Sequence, residues 1–152
     1  MKIALDSIET AIYSHPNSVY ILMCKGELLS QFGDLVGAMS CFKRASKLDP
    51  RSPLPYLNAA RTYQQVGQIL TSKLHIEKAL SIDPNLAMAH IDMSQLLMQS
   101  GKNDEAISTL EKALELSRHM SEIKDVLIAR KMAEAQVILE EEGIFSPRVN
   151  TF

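Results

Sequence analysis

The feature that most constrains this chain is a recurrence of similar residues at intervals of 34 positions. The segment ASKLDP at 45–50 returns as ALSIDP at 79–84. The same interval separates prolines, glycines, alanines and bulky apolar residues: Pro16, Pro50, Pro84; Gly33, Gly67, Gly101; Ala11, Ala45, Ala79, Ala113; Ile8, Phe42, Ile76, Leu110. Because several classes of residue keep one period, the sequence predicts copies of a single structural unit.

A unit of this length fits two helices of about 12 to 15 residues joined by short turns. Glycine is typical of the first turn, since a helix often ends in a left-handed residue that glycine adopts without steric cost. Proline is typical of the second turn, because it cannot continue the preceding helix. The alanines allow helices to approach closely, and the bulky residues fill the space between them. The pattern therefore predicts an all-α protein.

Composition narrows the classes of partner. The chain has 152 residues, of which 46% are hydrophobic, so it has enough apolar material for a folded core. Its formal charge of -2 arises from well-mixed acids and bases, which argues against nucleic acid as a partner. Two cysteines, Cys24 and Cys41, and the lack of a signal-like segment favour a reducing, intracellular location. No apolar run approaches the roughly 20 residues that a membrane span requires.

The repeat resembles the tetratricopeptide repeat, whose pattern combines bulky, glycine, aromatic, alanine and proline positions over 34 residues. The matching positions in two segments are Leu22, Gly26, Leu29, Ala38, Phe42, Ala45 and Pro50, then Tyr56, Ala60, Tyr63, Ser72, Ile76, Ala79 and Pro84. A third, looser match has His90, Ser94, Leu97, Ala106, Leu110 and Ala113, with Arg118 in place of proline. The resemblance implies a right-handed solenoid of helix-turn-helix units.

The period also predicts the organisation of the chain. We expect the second helix of an incomplete repeat at 1–18, repeats at 19–52, 53–86 and 87–120, a capping helix at 121–143 and a tail at 144–152. Since residues 1–18 lack a first-helix partner, we expect a fragment or a shortened relative of a longer array. The capping helix should cover the last repeat with Ile123, Leu127, Ala129, Ala133, Val137 and Ile138. The acidic residues Glu140, Glu141 and Glu142 at its end have no explanation in the pattern.

In this family the first helices line an inner, concave groove, and residues at i, i+3, i+4 and i+7 share one face. The candidate peptide-binding residues are Tyr20, Met23, Glu27, Leu57, Asn58, Arg61, Met88, Ile91, Asp92 and Gln95. They predict a mainly apolar groove that accepts an amphipathic helix or an extended peptide. The alternative is that the C-terminal helix fills the groove and that these residues belong to the core.

Chaperone-binding relatives hold a carboxylate with Lys, Asn and Arg side chains on three first helices. The corresponding positions here are Met23, Glu27, Asn58, Met88 and Asp92, and Asn58 is the one that matches. Two acids stand where carboxylate-binding groups are needed, and like charges repel. The sequence therefore disfavours chaperone C-terminal tails as partners.

A narrower resemblance concerns Glu111–Gly143, which is similar to the last repeat and terminal helix of the large repeat-type import receptor of the mitochondrial outer membrane. That resemblance implies recognition of mitochondrial precursor proteins and a cytoplasmic location at the cytosolic face of that membrane. Long alanine-rich closing helices also occur in other arrays.

Catalytic motifs do not emerge from the sequence. His15, His75, His90 and His119 are scattered, and HExxH, CxxC, phosphate-loop and nucleophile-elbow patterns are lacking. His90 lies at a packing position of the repeat, and the two cysteines are read as small apolar residues. We expect neither an enzyme nor a cofactor or metal site. The predicted function is a protein-binding module, monomeric or part of a larger complex; the alternatives are a structural scaffold subunit and an enzyme's regulatory domain.

Overall fold

The chain is helical throughout the part that the structure, a computed structural model, describes, namely residues 2–117 and 120–143. Eight helices occur within those ranges, without a strand: α1 Lys2–Ser14, α2 Val19–Gln31, α3 Leu35–Leu48, α4 Leu54–Gln65, α5 Ile69–Ile82, α6 Ala87–Gln99, α7 Asn103–Leu116 and α8 Met120–Glu141. The all-α prediction is confirmed. The predicted tail at 144–152 lies outside the described residues, and the repeat boundaries remain predictions.

Glycine ends the first helix of each helix pair, as the sequence predicts. Gly33, Gly67 and Gly101 have φ values of 81°, 76° and 71°, in the left-handed region. In the first of these turns the Asp34 N–H donates to the carbonyl oxygen of Leu29 at 2.9 Å. The residues after the other two glycines make the same bond, so each turn closes a Schellman motif that satisfies the end of the helix.

Proline ends the second helix at a fixed distance from the last helical residue. Helix α3 ends at Leu48 and α5 at Ile82, in each case two residues before proline. The intervening aspartates, Asp49 and Asp83, still donate their backbone N–H groups to carbonyls one turn back at 3.0 Å. Because proline has no N–H and its ring clashes with a preceding helical turn, the helix stops there.

The chain divides into two compact units, Met1–Asp83 and Pro84–Phe152. In the first unit each helix from α1 to α5 packs against the next, and α2 also contacts α4. Its core contains Ala38, Phe42 and Ala59, with Leu29 and Met39 packed against them. Two of these three residues, Ala38 and Ala59, are small, so α3 and α4 can approach each other closely around the Phe42 ring.

The second unit consists of α6, α7 and α8, which all contact one another. Leu110 and Ala113 from α7 form its core with Val126 and Ala129 from α8. Ile91 of α6 packs against the same cluster. Helix α8 therefore covers apolar side chains of the last helix pair, which is the role expected of a capping helix.

The apolar face predicted for α8 is partly wrong. Ala129 and Ala133 are buried as expected, but Leu127 and Ile138 are 45% and 54% exposed. Val126, which the prediction omitted, is fully buried. The reason is that α8 carries apolar residues on two opposite sides, and periodicity does not reveal which side meets the core. Among the described helices, none combines the length and apolarity needed to cross a bilayer.

Candidate functional site

Helices α2 and α4 enclose a small depression on the surface of the first unit. The two helices are in direct contact, and the depression between them has a volume of about 200 Å³. It is lined by Glu27, Ser30, Gln31, Asn58, Arg61, Thr62 and Gln65. Three of the predicted site residues, Glu27, Asn58 and Arg61, are thus brought together from two different helices.

Hydrogen bonds between side chains join the two walls of this depression. The Asn58 Nδ2 donates to Glu27 Oε1, and the Ser30 hydroxyl donates to Gln65 Oε1 at 2.9 Å. Every residue that lines the depression is polar, which corrects the prediction of a mainly apolar groove at this point. The polar side chains face one another across the helix contact, where the backbone spacing allows direct hydrogen bonds.

Two further predicted residues extend the surface along α2. Tyr20 is 77% exposed, and Met23 is half-buried one turn closer to Glu27. A hydrogen bond with the Cys24 thiol raises the pKa of the Tyr20 phenol. Positions 20, 23 and 27 follow helical spacing, so an apolar pair precedes the exposed Glu27 carboxylate on one face.

The predicted residues of α4 differ in their access to the surface. Leu57 is fully buried and Asn58 is 8% exposed, whereas Arg61 is half-buried. Leu57 is therefore a core residue here, and its predicted role as a partner contact is corrected. The i, i+4 spacing placed Leu57 on the same face as Arg61, but the closely packed neighbouring helices cover Leu57.

The predicted residues of α6 belong to the second unit and are described by themselves. Gln95 is exposed and Met88 is half-buried, whereas Asp92 is 4% exposed. Ile91 packs against the core cluster that includes residues of α8, which favours the core interpretation for this residue.

His90 is a buried packing residue, as its place in the repeat predicts. Its side chain is 7% exposed, and its Nε2 lies 2.9 Å from the carbonyl oxygen of Pro84. An N–H at this nitrogen donates to that carbonyl and satisfies both groups. His90 thereby ties α6 to the turn that precedes it.

Sequence reasoning missed four residues of the α2–α4 depression: Ser30, Gln31, Thr62 and Gln65. Each lies three or four positions after a predicted residue of the same helix, namely after Glu27, Asn58 or Arg61. Extending the helical face by one more turn would have found them. The prediction stopped at the i+7 position of each face, and these four residues lie beyond it.

A second depression of the first unit lies between α3, α4 and α5 and has a volume of about 410 Å³. Its lining includes Tyr56 and Tyr63, and the Tyr63 ring lies 5.0 Å from the His75 ring, centroid to centroid. Lys43 and Lys47 of α3 line the same depression. Tyr56 and Tyr63 match positions of the repeat pattern, and both are half-buried, so they pack while keeping some surface.

The described residues offer no group of three or more His, Cys, Asp and Glu side chains placed to hold a metal ion. Cys24 and Cys41 are both free thiols. The cysteines lie on α2 and α3 of the first unit.

Comparisons with known proteins agree with the geometry of the helices. The family model of the tetratricopeptide repeat matches residues 55–86 and 88–119. The comparison with curated protein sequences gave no match.

Several solved structures share the fold. The TPR2B domain of yeast Sti1, in a complex with pHsp70, is 18% identical with a TM-score of 0.68, over 78% of this chain and 97% of that one. The first TPR of Spaghetti (RPAP3), bound to the HSP90 peptide SRMEEVD, is 17% identical with a TM-score of 0.65, over 79% and 93%. The Arabidopsis OM64 TPR domain is 19% identical with a TM-score of 0.65, over 77% and 94%. The two matched segments of this chain are tetratricopeptide repeats, and the chain has the all-helical fold of tetratricopeptide repeat domains.

Proposed function

We propose that this chain binds segments of other proteins, without chemistry of its own, on the α2–α4 surface of its first unit. The observation that carries the proposal is the depression lined by Glu27, Asn58 and Arg61, together with the exposed Tyr20 about two turns before Glu27 on α2. Polar groups in a concavity give a bound peptide directed hydrogen bonds, and a neighbouring aromatic ring gives it apolar contact. Domains of the same fold bind peptides, as the complexes with pHsp70 and SRMEEVD illustrate.

The partner we propose is an amphipathic, cationic segment such as a mitochondrial precursor presequence. Its apolar face would contact Tyr20 and Met23, and a lysine or arginine one turn on would meet the exposed Glu27 carboxylate. A chaperone C-terminal tail fits less well, because the Asn58 amide already donates to Glu27 and the carboxylate repels an anionic terminus. Arg61 adds one positive charge to the depression, so specificity depends on the charge pattern of the peptide.

The proposed location is the cytoplasm, at the cytosolic face of the mitochondrial outer membrane. The similarity of Glu111–Gly143 to the closing segment of the import receptor supports this part of the proposal. Subcellular fractionation of the native protein tests it, and recovery in another compartment would contradict it.

Fluorescence polarisation with two labelled probes tests the binding proposal. One probe is a cationic amphipathic presequence-like helix, and the other is the acidic peptide SRMEEVD. We expect the cationic probe to bind at least about tenfold more tightly than SRMEEVD at low salt. The reason is that the acidic side chains of SRMEEVD would approach the Glu27 carboxylate, which repels them. Equal or tighter binding of SRMEEVD would overturn the proposed specificity.

Matched variants locate the binding surface. Tyr20→Ala should weaken binding of the cationic probe about fivefold or more, since exposed tyrosines are frequent anchors of peptide contacts. Tyr13→Ala is the control, because Tyr13 is 91% exposed on α1 and lies outside the depression. Equal losses for both variants, with unchanged helicity, would move the binding site away from α2.

The second candidate function is a structural scaffold subunit, and exposed apolar residues on the second helices favour it. Val36 of α3 and Leu70 of α5 occupy equivalent positions of the period and are 81% and 76% exposed. Exposed apolar side chains at repeated positions are typical of contact surfaces. Pull-down of the native assembly with two variants separates the two functions. Leu70→Asp should disrupt a scaffold contact, and Tyr20→Ala should disrupt peptide binding.

A further inference from the structure

Helix α8 has an apolar face that no described residue outside α8 covers. The open surface on that face is lined by residues of α8 alone: Ile123, Lys124, Leu127, Ile128, Lys131, Met132 and Ala135. Ile128 and Met132 are 49% and 58% exposed. The opposite side of the helix carries Val126 and Ala133, which are fully buried. Two apolar faces on one helix require a second contact surface or leave apolar area in water.

The outward face follows a heptad spacing along its whole length. Its central line has alternating steps of four and three residues: Lys124, Ile128, Lys131, Ala135, Ile138 and Glu142. Residues at this spacing share one line along a helix and can contact a second helix lengthwise, and in this line the apolar residues Ile128, Ala135 and Ile138 alternate with charged ones. Leu127 and Leu139 flank the line on opposite sides. The face is basic at its beginning and acidic at its end.

We propose that this face binds a second copy of the chain, with the two α8 helices antiparallel about a two-fold axis next to residues 131–135. In that register each residue of the line meets a residue of equal distance from the axis. Ile128 lies opposite Ile138 of the other copy. The contact is self-complementary, as a two-fold interface must be.

Charge complementarity supports this occupant. Lys124 and Glu142 lie at equal distances from the axis, so each basic end meets the acidic end of the other copy. Both side chains are exposed, and neither has an ion-pair partner within the described ranges. Opposite charges that flank an apolar helix contact select the antiparallel orientation.

The same arrangement explains the acidic end of α8, which the repeat pattern leaves unexplained. Glu141 and Glu142 lie where the helix dipole disfavours negative charge. In the antiparallel pair the positive N-terminal end of the other α8 lies beside them. The C-terminal end of their own helix disfavours the Glu141 and Glu142 carboxylates, whereas the N-terminal end of the other copy's α8 attracts them.

Lys131 lies near the axis and does not prevent the contact. It forms an ion pair with Glu134 at 2.8 Å, and its side chain is 80% exposed. The residue opposite it in the other copy is Ala135, whose small side chain leaves room for the lysine stem. A long stem can cover apolar surface while its charged end stays in water.

Sedimentation equilibrium of the full chain over a concentration series tests the proposal. The expected result is a concentration-dependent rise from the 16.9 kDa monomer toward twice that mass. Ile128→Glu should return the protein to a monomer with unchanged helicity, because it places a charge in the apolar centre of the contact. A protein that stays monomeric at several hundred micromolar would overturn the proposal.

A charge-exchange series tests the orientation. Lys124→Glu and Glu142→Lys should each weaken association about threefold to tenfold, and the double variant Lys124→Glu/Glu142→Lys should restore it. Lys78→Glu on the exposed surface of α5 is the control and should leave association unchanged. Failure of the double variant to restore association would refute the antiparallel register. If deletion of residues 144–152 were needed before any dimer formed, the chain's own tail would be the occupant and the proposal would be wrong.

Discussion

The ring of Phe42 lies against the backbone of Gly26, so closely that a Cβ atom on Gly26 would be 2.5 Å from Cε1 of the ring. In the next two repeats, 34 and 68 residues further on, the same pair of positions holds Ala60 with Ile76 and Ser94 with Leu110. All four of these residues are buried. The largest side chain of the series thus occurs with glycine, which shows that the two positions compensate each other in volume.

Gly26→Ala should destabilise the protein by about 1 to 3 kcal/mol, because the added methyl group must displace the Phe42 ring or the helix. Urea denaturation monitored by circular dichroism measures the change. The double variant Gly26→Ala/Phe42→Ile copies the natural pair at Ala60 and Ile76 and should recover part of the loss. If the double variant lost more free energy of unfolding than the two single variants lose together, the result would contradict this compensation.

Gly67→Ala should cost about 1 to 2 kcal/mol for a different reason, since its φ of 76° is unfavourable for a residue with a Cβ atom. Nothing lies within 4 Å of a Cβ atom built at this position, so the cost comes from the backbone alone. Gly67→Asn is the matched variant and should be milder, because asparagine tolerates the left-handed region better. Thermal unfolding of both variants distinguishes backbone strain from a steric clash.

The Cys41 thiol should react slowly with alkylating reagents in the folded protein. Burial raises its pKa, although Lys25 and Arg44 oppose the effect, so less of the reactive thiolate is present at neutral pH. The raised pKa also favours the folded state below the pKa of the unfolded thiol, and this contribution is lost as the pH rises through the folded value. Mass spectrometry of alkylation against pH, with urea-unfolded protein as the control, measures the shift. A lower midpoint in the folded protein would contradict it.

Glu27→Asn should increase the affinity for SRMEEVD by about threefold or more. The change removes a carboxylate that repels the peptide, and it ends the charged hydrogen bond that occupies the Asn58 amide. Glu115→Asn is the control, since Glu115 is exposed on α7 of the other unit. Fluorescence polarisation at two salt concentrations checks the result. An unchanged affinity for SRMEEVD would show that Glu27 does not govern peptide charge selection.

Asn103→Ala should loosen the C-terminal turns of α8. Asn103 at the start of α7 is 4% exposed, and its Nδ2 donates to Glu140 Oε1 at 3.0 Å. Loss of a hydrogen bond to a carboxylate costs about 1.5 to 3 kcal/mol. Hydrogen exchange should therefore increase at the end of α8 and remain unchanged near Val126. Asp104→Ala, at the exposed neighbouring position, is the control.

The turns of this protein could be predicted from the sequence because their causes are local. Gly33 ends a helix through its own φ angle, and Pro50 ends one because it has no N–H, whatever surrounds them. The 34-residue period adds the order of the elements, and it places Phe42 and Ala38 in the core correctly.

The candidate site could be predicted in part. Helical spacing placed Glu27 and Arg61 on the correct faces, and both line the depression. The same spacing did not show that Leu57 is buried or that Asn58 bonds to Glu27, because both depend on how closely α2 and α4 approach each other.

Sequence by itself determined the elements of this chain: their helical type, their ends and the repeat that orders them, all of which follow from backbone geometry and side-chain spacing. Tertiary structure alone decided which surfaces remain available. It buried Val126 and exposed Ile128 on the same apolar helix, since a helix with two similar faces can contact its neighbours with only one of them.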